Sequence, residues 1–438
     1  MIQLSPLLIL FVVFAAILVL VLAGLRIGFA LIVVGVISLV VFPFKPLLQP
    51  IAETGWTVLN SFVLTAVPLF IFMGQILSRG RLSEQLYRAT EQWLCRLPGG
   101  LANVNIGSCA IFAALSGSSL ATCAGIGSVA IPAMDSRGYH PRLTLGSLGA
   151  GGTLGILIPP SIPMILYGYI ANVSIGRLFM GGVLPGIILS LAFICFIFIW
   201  SVRVPSIAPR LDKAPSWRER LYSLRDAIPP VILIFLVLGS IYIGVATPTE
   251  AAALGAFGAL VITIIQRQFS WLMLKDSLKE TALTTGMIGL IMEGAMIVAW
   301  AFHMLRVPIT LSETIAGSGL NRYIAFALIV LLLYALGCFI DGISILLIMT
   351  PILAPIMTTL GFDLVWFGIV FVLTIEISLI TPPVGMNLFI IKGVAPHAKM
   401  EDIIMGILPY VGILTLGIIA LTIWPKLALW LPNLMMGN

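Results

Sequence analysis

Four short stretches of this chain carry residue types that could hold an ion in apolar surroundings. They are Ser116-Gly117-Ser118-Ser119, Gly149–Gly155 running into Ile158-Pro159-Pro160, Phe339-Ile340-Asp341-Gly342, and Glu376–Pro383. A run of small residues interrupts a helix and frees hydroxyl and carbonyl oxygens. A Pro pair does the same, because proline lacks the amide donor and its ring clashes with the preceding turn. Hard cations take oxygen ligands of this kind. The hydroxyls of Ser116, Ser118 and Ser119, with carbonyls around Gly155 and Ile158, form one donor set. Asp341 and Thr381, with carbonyls near Ser378 and Pro383, form a second. A carboxylate inside a membrane is costly and marks a functional position by default. Na⁺ is the cation this chemistry suits; protons carried on Asp341 or Glu376 are the alternative. Close helix packing by small residues is the competing reading. The recurrence of a small-residue tip followed by a Pro-Pro break argues for the sites. Other chemistries lack their residues. Three His and five Cys (Cys95, Cys109, Cys123, Cys195, Cys338) show no metal-ligand or paired spacing. There is no H-E-x-x-H and no G-x-x-x-x-G-K-[ST] loop, so an intramembrane enzyme is a poor reading.

The elements that position these stretches are membrane helices. Of 438 residues, 60% are apolar and 9% charged, where a soluble domain carries about a quarter charged. The runs Leu7–Ala23, Ile27–Phe42, Ile187–Trp200, Ile228–Val245, Ala251–Ile265, Ala325–Phe339 and Val411–Trp424 are long enough, or nearly so, to span a bilayer. In lipid the backbone must satisfy itself, which makes them helices. The net charge of +6 is scattered between these runs and reads as loop charge, with no nucleic-acid partner. Met1–Ser5 has no basic region, so the first run is expected to stay as a helix. Glu293, in another predicted span, is open between a polar helix contact and a functional acid.

The chain also repeats itself. Ala130–Met134 (AIPAM) matches Leu353–Met357 (LAPIM), and Ile158–Ser161 (IPPS) matches Thr381–Val384 (TPPV). The step from Pro132 to Pro355 equals the step from Pro159 to Pro382, so one fixed offset serves both pairs. Each half reads as three spans, an amphipathic segment, a hairpin-like tip, a broken helix and a last helix. If the hairpins re-enter without crossing, each half crosses an odd number of times and the second half is inverted, as in many secondary transporters. The expected fold is therefore an all-α polytopic membrane protein of two inverted repeats, each with a re-entrant helical hairpin and a broken helix. The expected parts are 1–98 (first scaffold helices and an inner-surface arm at Arg79–Leu97), 99–175 (first hairpin and broken helix), 176–321 (last helix of the first repeat, linker 201–227, scaffold helices and an outer arm), 322–397 (second hairpin and broken helix) and 398–438. With the N-terminus outside, 18 Lys and Arg fall inside and 5 outside. That split favours both termini on the outer face.

At these residues the chain resembles the large membrane subunit of tripartite ATP-independent periplasmic (TRAP) transporters. Ala114–Ile126 (ALSGSSLATCAGI), Gly152–Tyr167 (GTLGILIPPSIPMILY), Gly244–Ala253 (GVATPTEAAA), Cys338–Pro355 (CFIDGISILLIMTPILAP) and Glu376–Ile390 (EISLITPPVGMNLFI) carry the resemblance, which covers almost all of 1–430. It implies an elevator-type, Na⁺-coupled uptake system in a bacterial inner membrane. It implies a periplasmic binding protein that delivers a small carboxylate or sulfonate anion, and a separate small four-helix membrane subunit. Carried over by residue, one Na⁺ would lie at Ser116, Ser118, Gly155, Ile158 and Pro160. A second would lie near Phe339, Asp341, Ser378, Thr381 and Pro383. The substrate would sit near Ser119, Thr153, Gly342 and Asn387, and the binding protein would dock around Ser174, Arg177, Glu250 and Arg306. For Glu250 the residues also suggest a helix cap at Thr247-Pro248-Thr249-Glu250. A self-sufficient Na⁺/anion symporter, needing no binding protein, is the rival within transport.

Overall fold

A computed structural model describes residues 5–41, 48–209, 215–317 and 319–436. Lys45, Arg210 and Lys213 of the charge split, Phe42 at the end of the second apolar run, and part of the 201–227 linker lie outside the described residues. Among those described, every regular element is a helix.

The first half opens with α1 (Pro6–Leu22) and α2 (Ile27–Val41), followed by α3 (Leu48–Leu59) and α4 (Ala66–Arg79). Amphipathic α5 (Leu82–Leu94) leads into the pair α6 (Leu101–Ser116) and α7 (Ser119–Asp135). Next come α8 (Pro141–Leu157), α9 (Ile162–Ile170) and the long α10 (Ile175–Arg203). The second half begins with α11 (Trp217–Ile234), which runs through a π turn into α12 (Ser240–Tyr242). It continues with α13 (Pro248–Ile265), α14 (Trp271–Met304), α15 (Val307–Gly317), α16 (Arg322–Gly337), α17 (Gly342–Thr359), α18 (Leu364–Ile380), α19 (Met386–Val394) and α20 (Met400–Ile423). A terminal helix, α21 (Lys426–Met436), closes the chain and packs on α10.

The two halves keep register. The offset that joins the Pro pairs carries Ser119, the first residue of α7, onto Gly342, the first of α17. It also carries both ends of α8 onto both ends of α18. One difference was not expected. The third span of the first half bends by 57° between Ile51–Leu59 and Val63–Arg79, whereas its counterpart α14 is a single helix of 34 residues. The bend falls at Asn60-Ser61. There the Ser61 hydroxyl accepts the Leu64 amide (3.4 Å), and local side-chain bonding of this kind competes with the helical ladder.

Among the described residues, seven helices are long and apolar enough to cross a membrane, or eight if the bent pair counts as one span. Their exposure differs sharply. The most apolar stretch of Pro141–Ile170 is 83% buried, that of Trp217–Tyr242 only 22%. The broken helix is therefore wrapped in protein while α11 faces outward. α2 lies along α14, and α4 packs on α13 and α14. α6, α7 and α8 pack on one another, as α17 does on α16 and α18. The halves interlock: α7 meets α19, and α17 meets α9.

Helix starts follow the sequence. Thr247 caps α13 by accepting the Glu250 amide (3.3 Å), and the Glu250 carboxylate accepts the Thr247 amide and hydroxyl, each at 2.8 Å. Pro248 occupies the first helical position, where its missing amide costs nothing. Thr247→Ala should cost about 1 kcal/mol and lower the thermal unfolding midpoint of the detergent-purified chain. An unchanged midpoint would mean that the cap does not hold this helix.

Candidate functional site

The first tip is set by Gly117, whose φ of 60° lies in the left-handed region that glycine favours and that ends α6. Ser118 then caps α7 by accepting the Ala121 amide (3.3 Å). The tip sits directly on the first break. A β-carbon placed on Gly117 would lie 2.8 Å from the Pro160 carbonyl oxygen, and one on Gly155 would lie 2.6 Å from the Ser118 oxygen. Gly74 of α4 backs the tip from the other side, 3.2 Å from the Ser116 oxygen by the same measure. Ser116, Ser118, Gly155 and Pro160 are thus brought together. Ile158 is the extended residue that ends α8, and its side chain lies against Gly186 of α10. Sequence reasoning missed Thr122, whose hydroxyl is 2.7 Å from that of Ser116. It stands one turn after Ser118, the spacing at which a helix returns a side chain to the same face.

The second tip has its own geometry. Asp341 caps α17, its carboxylate accepting the Ser344 amide (3.0 Å) and hydroxyl (2.5 Å). Gly337, the last residue of α16, lies so close to Ser378 that any side chain there would overlap it, and Gly342 stands in the same relation to Ile375. The Ser378 hydroxyl donates to the Thr374 carbonyl (3.1 Å) and that of Thr381 to the Ile377 carbonyl (2.6 Å), which leaves their oxygen lone pairs for a cation. The two breaks differ in cover. Pro159 and Pro160 are buried; Pro382 and Pro383 are exposed, as is Phe339.

Two of the four substrate candidates meet. The Asn387 amide donates to the Ser119 hydroxyl (2.8 Å), linking α19 of the second half to α7 of the first, with both residues buried. The Asn387 carbonyl oxygen has no partner among the described residues. Gly152 lies against that amide, and its neighbour Thr153 is buried with its hydroxyl bonded to the Ala150 carbonyl. Gly342 sits with Ile375, at the other tip. Glu376, the counterpart of Thr153 in the second half, is fully buried, and neither carboxylate oxygen has a partner among the described residues. Glu293 has its carboxylate against Gly55 of α3.

Of the docking candidates, Ser174 caps α10 and lines a cleft of about 690 Å³ together with Thr247, Thr249 and Phe62. Arg177 is tied to Asn433 of α21 (2.7 Å), and Glu250 is engaged in its cap. Arg306 stands in the short turn between α14 and α15, with a φ of 54°.

Comparison with known proteins agrees with this architecture. Residues 14–427 match the family model described as "Tripartite ATP-independent periplasmic transporter, DctM component". The C4-dicarboxylate TRAP transporter large permease DctM of Vibrio cholerae is 35% identical, over 88% of this chain and 90% of its own. The sialic acid TRAP transporter large permease SiaM of the same organism is 30% identical, over 95% and 96%. The isethionate TRAP transporter permease DctMQ of Oleidesulfovibrio alaskensis is 36% identical over 87% of this chain, which spans 60% of that longer protein. Among solved structures, the YdaH transporter of Alcanivorax borkumensis superposes with a TM-score of 0.61 at 16% identity, over 86% of this chain and 88% of that one. That likeness is one of fold.

Proposed function

This chain belongs to the DctM-component family of TRAP transporters, and on that premise we propose that it carries a small organic anion into the cell by Na⁺-coupled, elevator-type alternating access. The observation that carries the reading is the paired tip and break. In the first half the Ser116 and Thr122 hydroxyls meet at the tip, the Ser118 carbonyl lies against Gly155, and the Pro160 carbonyl lies against Gly117. In the second, Asp341 stands where the first half has Ser118. One Na⁺ would bind at Ser116, Ser118, Gly155, Ile158 and Pro160, and another near Phe339, Asp341, Ser378, Thr381 and Pro383. The anion would sit between them against Ser119, Thr153 and Asn387, held by hydroxyls, amides and helix starts, since no Arg stands at either tip. Gly342 would approach this group only when the second tip moves toward it.

The relatives' names concern dicarboxylate, sialic acid and isethionate, which supports a carboxylate or sulfonate as the substrate class. A periplasmic binding protein would deliver it at the face of Ser174, Arg177, Glu250 and Arg306. A small four-helix membrane subunit would complete the scaffold, as the fused DctMQ relative suggests. The two halves would be inverted, with both termini periplasmic in an inner membrane, as the 18-to-5 charge split favours.

The test is reconstitution into proteoliposomes with each component left out in turn. Uptake is expected only when binding protein and small subunit are both present. Uptake of free substrate by this chain alone would support the self-sufficient symporter instead.

A further inference from the structure

We propose that Thr122 is a positioning residue for the first cation site: its hydroxyl takes the Ser116 proton and so turns the Ser116 oxygen toward the ion. Thr122 has this role only if the first tip binds Na⁺, as proposed above.

A hydroxyl that coordinates a cation gives its lone pairs to the ion, so its one proton must point away and find an acceptor. In a buried place that acceptor is needed, because an unpaired donor there is costly. Ser116 is buried. Among the described residues two acceptors lie near its hydroxyl. The Ser118 carbonyl oxygen is 3.4 Å away, at the edge of hydrogen-bonding reach, and the Thr122 hydroxyl oxygen is 2.7 Å away. The shorter separation is the one a good O–H···O bond takes. The Ser118 carbonyl is also engaged elsewhere. It accepts the Thr122 amide (3.0 Å), and it is the oxygen that a β-carbon on Gly155 would meet. Thr122 is therefore the acceptor that remains when Ser116 faces an ion.

Thr122 is also placed unlike the other helical threonines. A Thr inside a helix commonly donates to the carbonyl one turn back, as Thr90, Thr281, Thr350 and Thr374 do. Thr122, fully buried in α7, instead meets a side chain at the end of α6, across the tip. Packing alone asks for no hydroxyl here. The fixed offset between the halves carries Thr122 onto Ile345, which is buried as hydrocarbon, and Ser116 onto Phe339. In that second half the candidate ligand is Asp341, and the Ser344 hydroxyl, in the first turn of α17, donates to it. Each tip thus pairs an ion-facing group with a hydroxyl borne on the helix that follows.

The experiment is thermal unfolding of the full detergent-purified chain titrated with NaCl, with choline chloride holding the ionic strength constant. Wild type is expected to melt higher as Na⁺ rises, which gives a half-saturating concentration. Thr122→Val and Thr122→Ala should each raise that concentration roughly tenfold. Thr122→Ser, which keeps the hydroxyl, should stay within about twofold of wild type. In a Ser116→Ala background Thr122→Val should add nothing, because Thr122 acts through Ser116 alone. Thr90→Val removes a buried hydroxyl bonded within its own helix. It should lower the melting temperature in choline without moving the Na⁺ half-saturation, which is the pattern a merely structural hydroxyl gives. That pattern in Thr122→Val, a shift in Thr122→Ser as large as in Thr122→Val, or full additivity with Ser116→Ala would each overturn the assignment while the Na⁺-coupled reading stood. No Na⁺ stabilisation of wild type would overturn both.

Discussion

Asp341→Asn should leave the protein folded and remove most of its Na⁺-driven accumulation. Asp341 has two roles in the structure. It caps α17 through the Ser344 amide and hydroxyl, and under the proposed function it gives the second cation its only charged ligand. Asn caps helices about as well as Asp, so the substitution keeps the first role and cancels the second. Removing one partner of a buried charge pair costs about 3 kcal/mol, roughly a hundredfold in apparent Na⁺ affinity. The expected record is a normal elution and melting profile, with a Na⁺ half-saturation shifted about that far. Asp341→Ala loses the cap as well and should also lower the melting temperature. An unchanged Na⁺ dependence in Asp341→Asn would remove this residue from the cation site, whatever happened to overall rate.

Gly155→Ala should be nearly as damaging, for a steric reason. A β-carbon at Gly155 would lie 2.6 Å from the Ser118 carbonyl oxygen and 2.8 Å from the Ser119 α-carbon. Both are backbone atoms, which cannot rotate away as a side chain could. Either the tip or α8 must shift, and overpacking of this kind costs about 1–3 kcal/mol. The shift separates the hydroxyls of Ser116 and Ser118 from the carbonyls around Ile158. Uptake at saturating Na⁺ should therefore fall with the melting temperature only modestly lowered. Gly289, with open space around its missing side chain, is the control: Gly289→Ala should behave as wild type. If Gly155→Ala transports normally, the tip does not need its seat on the first break.

Both tips and both breaks were legible in the sequence because their causes are local. Ser-Gly-Ser-Ser and Pro-Pro dictate backbone conformation within a turn or two, and the fixed offset between the halves ties each to its counterpart. The same holds for the Thr247 cap. What the sequence concealed is set by distant neighbours. The pairing of Arg177 with Asn433 and the link from Asn387 to Ser119 join residues from opposite halves of the chain. No pattern along the chain announces them. The contrast between a buried first break and an exposed second one depends on which helices cover each, and the matching motifs hide it. α14 reads as a span around Glu293 but is missing from the continuous apolar runs, because Lys275, Asp276, Lys279 and Glu280 occupy its first turns and Glu293 its middle. The bend at Asn60-Ser61 rests on side-chain bonds that many straight helices tolerate.

The central claim is that cation binding at the two tip–break pairs drives anion uptake. A membrane potential of about 100 mV supplies about 2.3 kcal/mol per charge moved. Each additional Na⁺ moved with the anion therefore adds that much to the accumulation it can sustain. The direct measurement is uptake of the anion captured by the cognate binding protein into proteoliposomes holding this chain and its small subunit. A fixed imposed potential is applied with Na⁺ either present outside or replaced by choline. Accumulation is expected with Na⁺ and collapse to the leak level without it. Undiminished uptake in Na⁺-free buffer under the same potential would contradict the account.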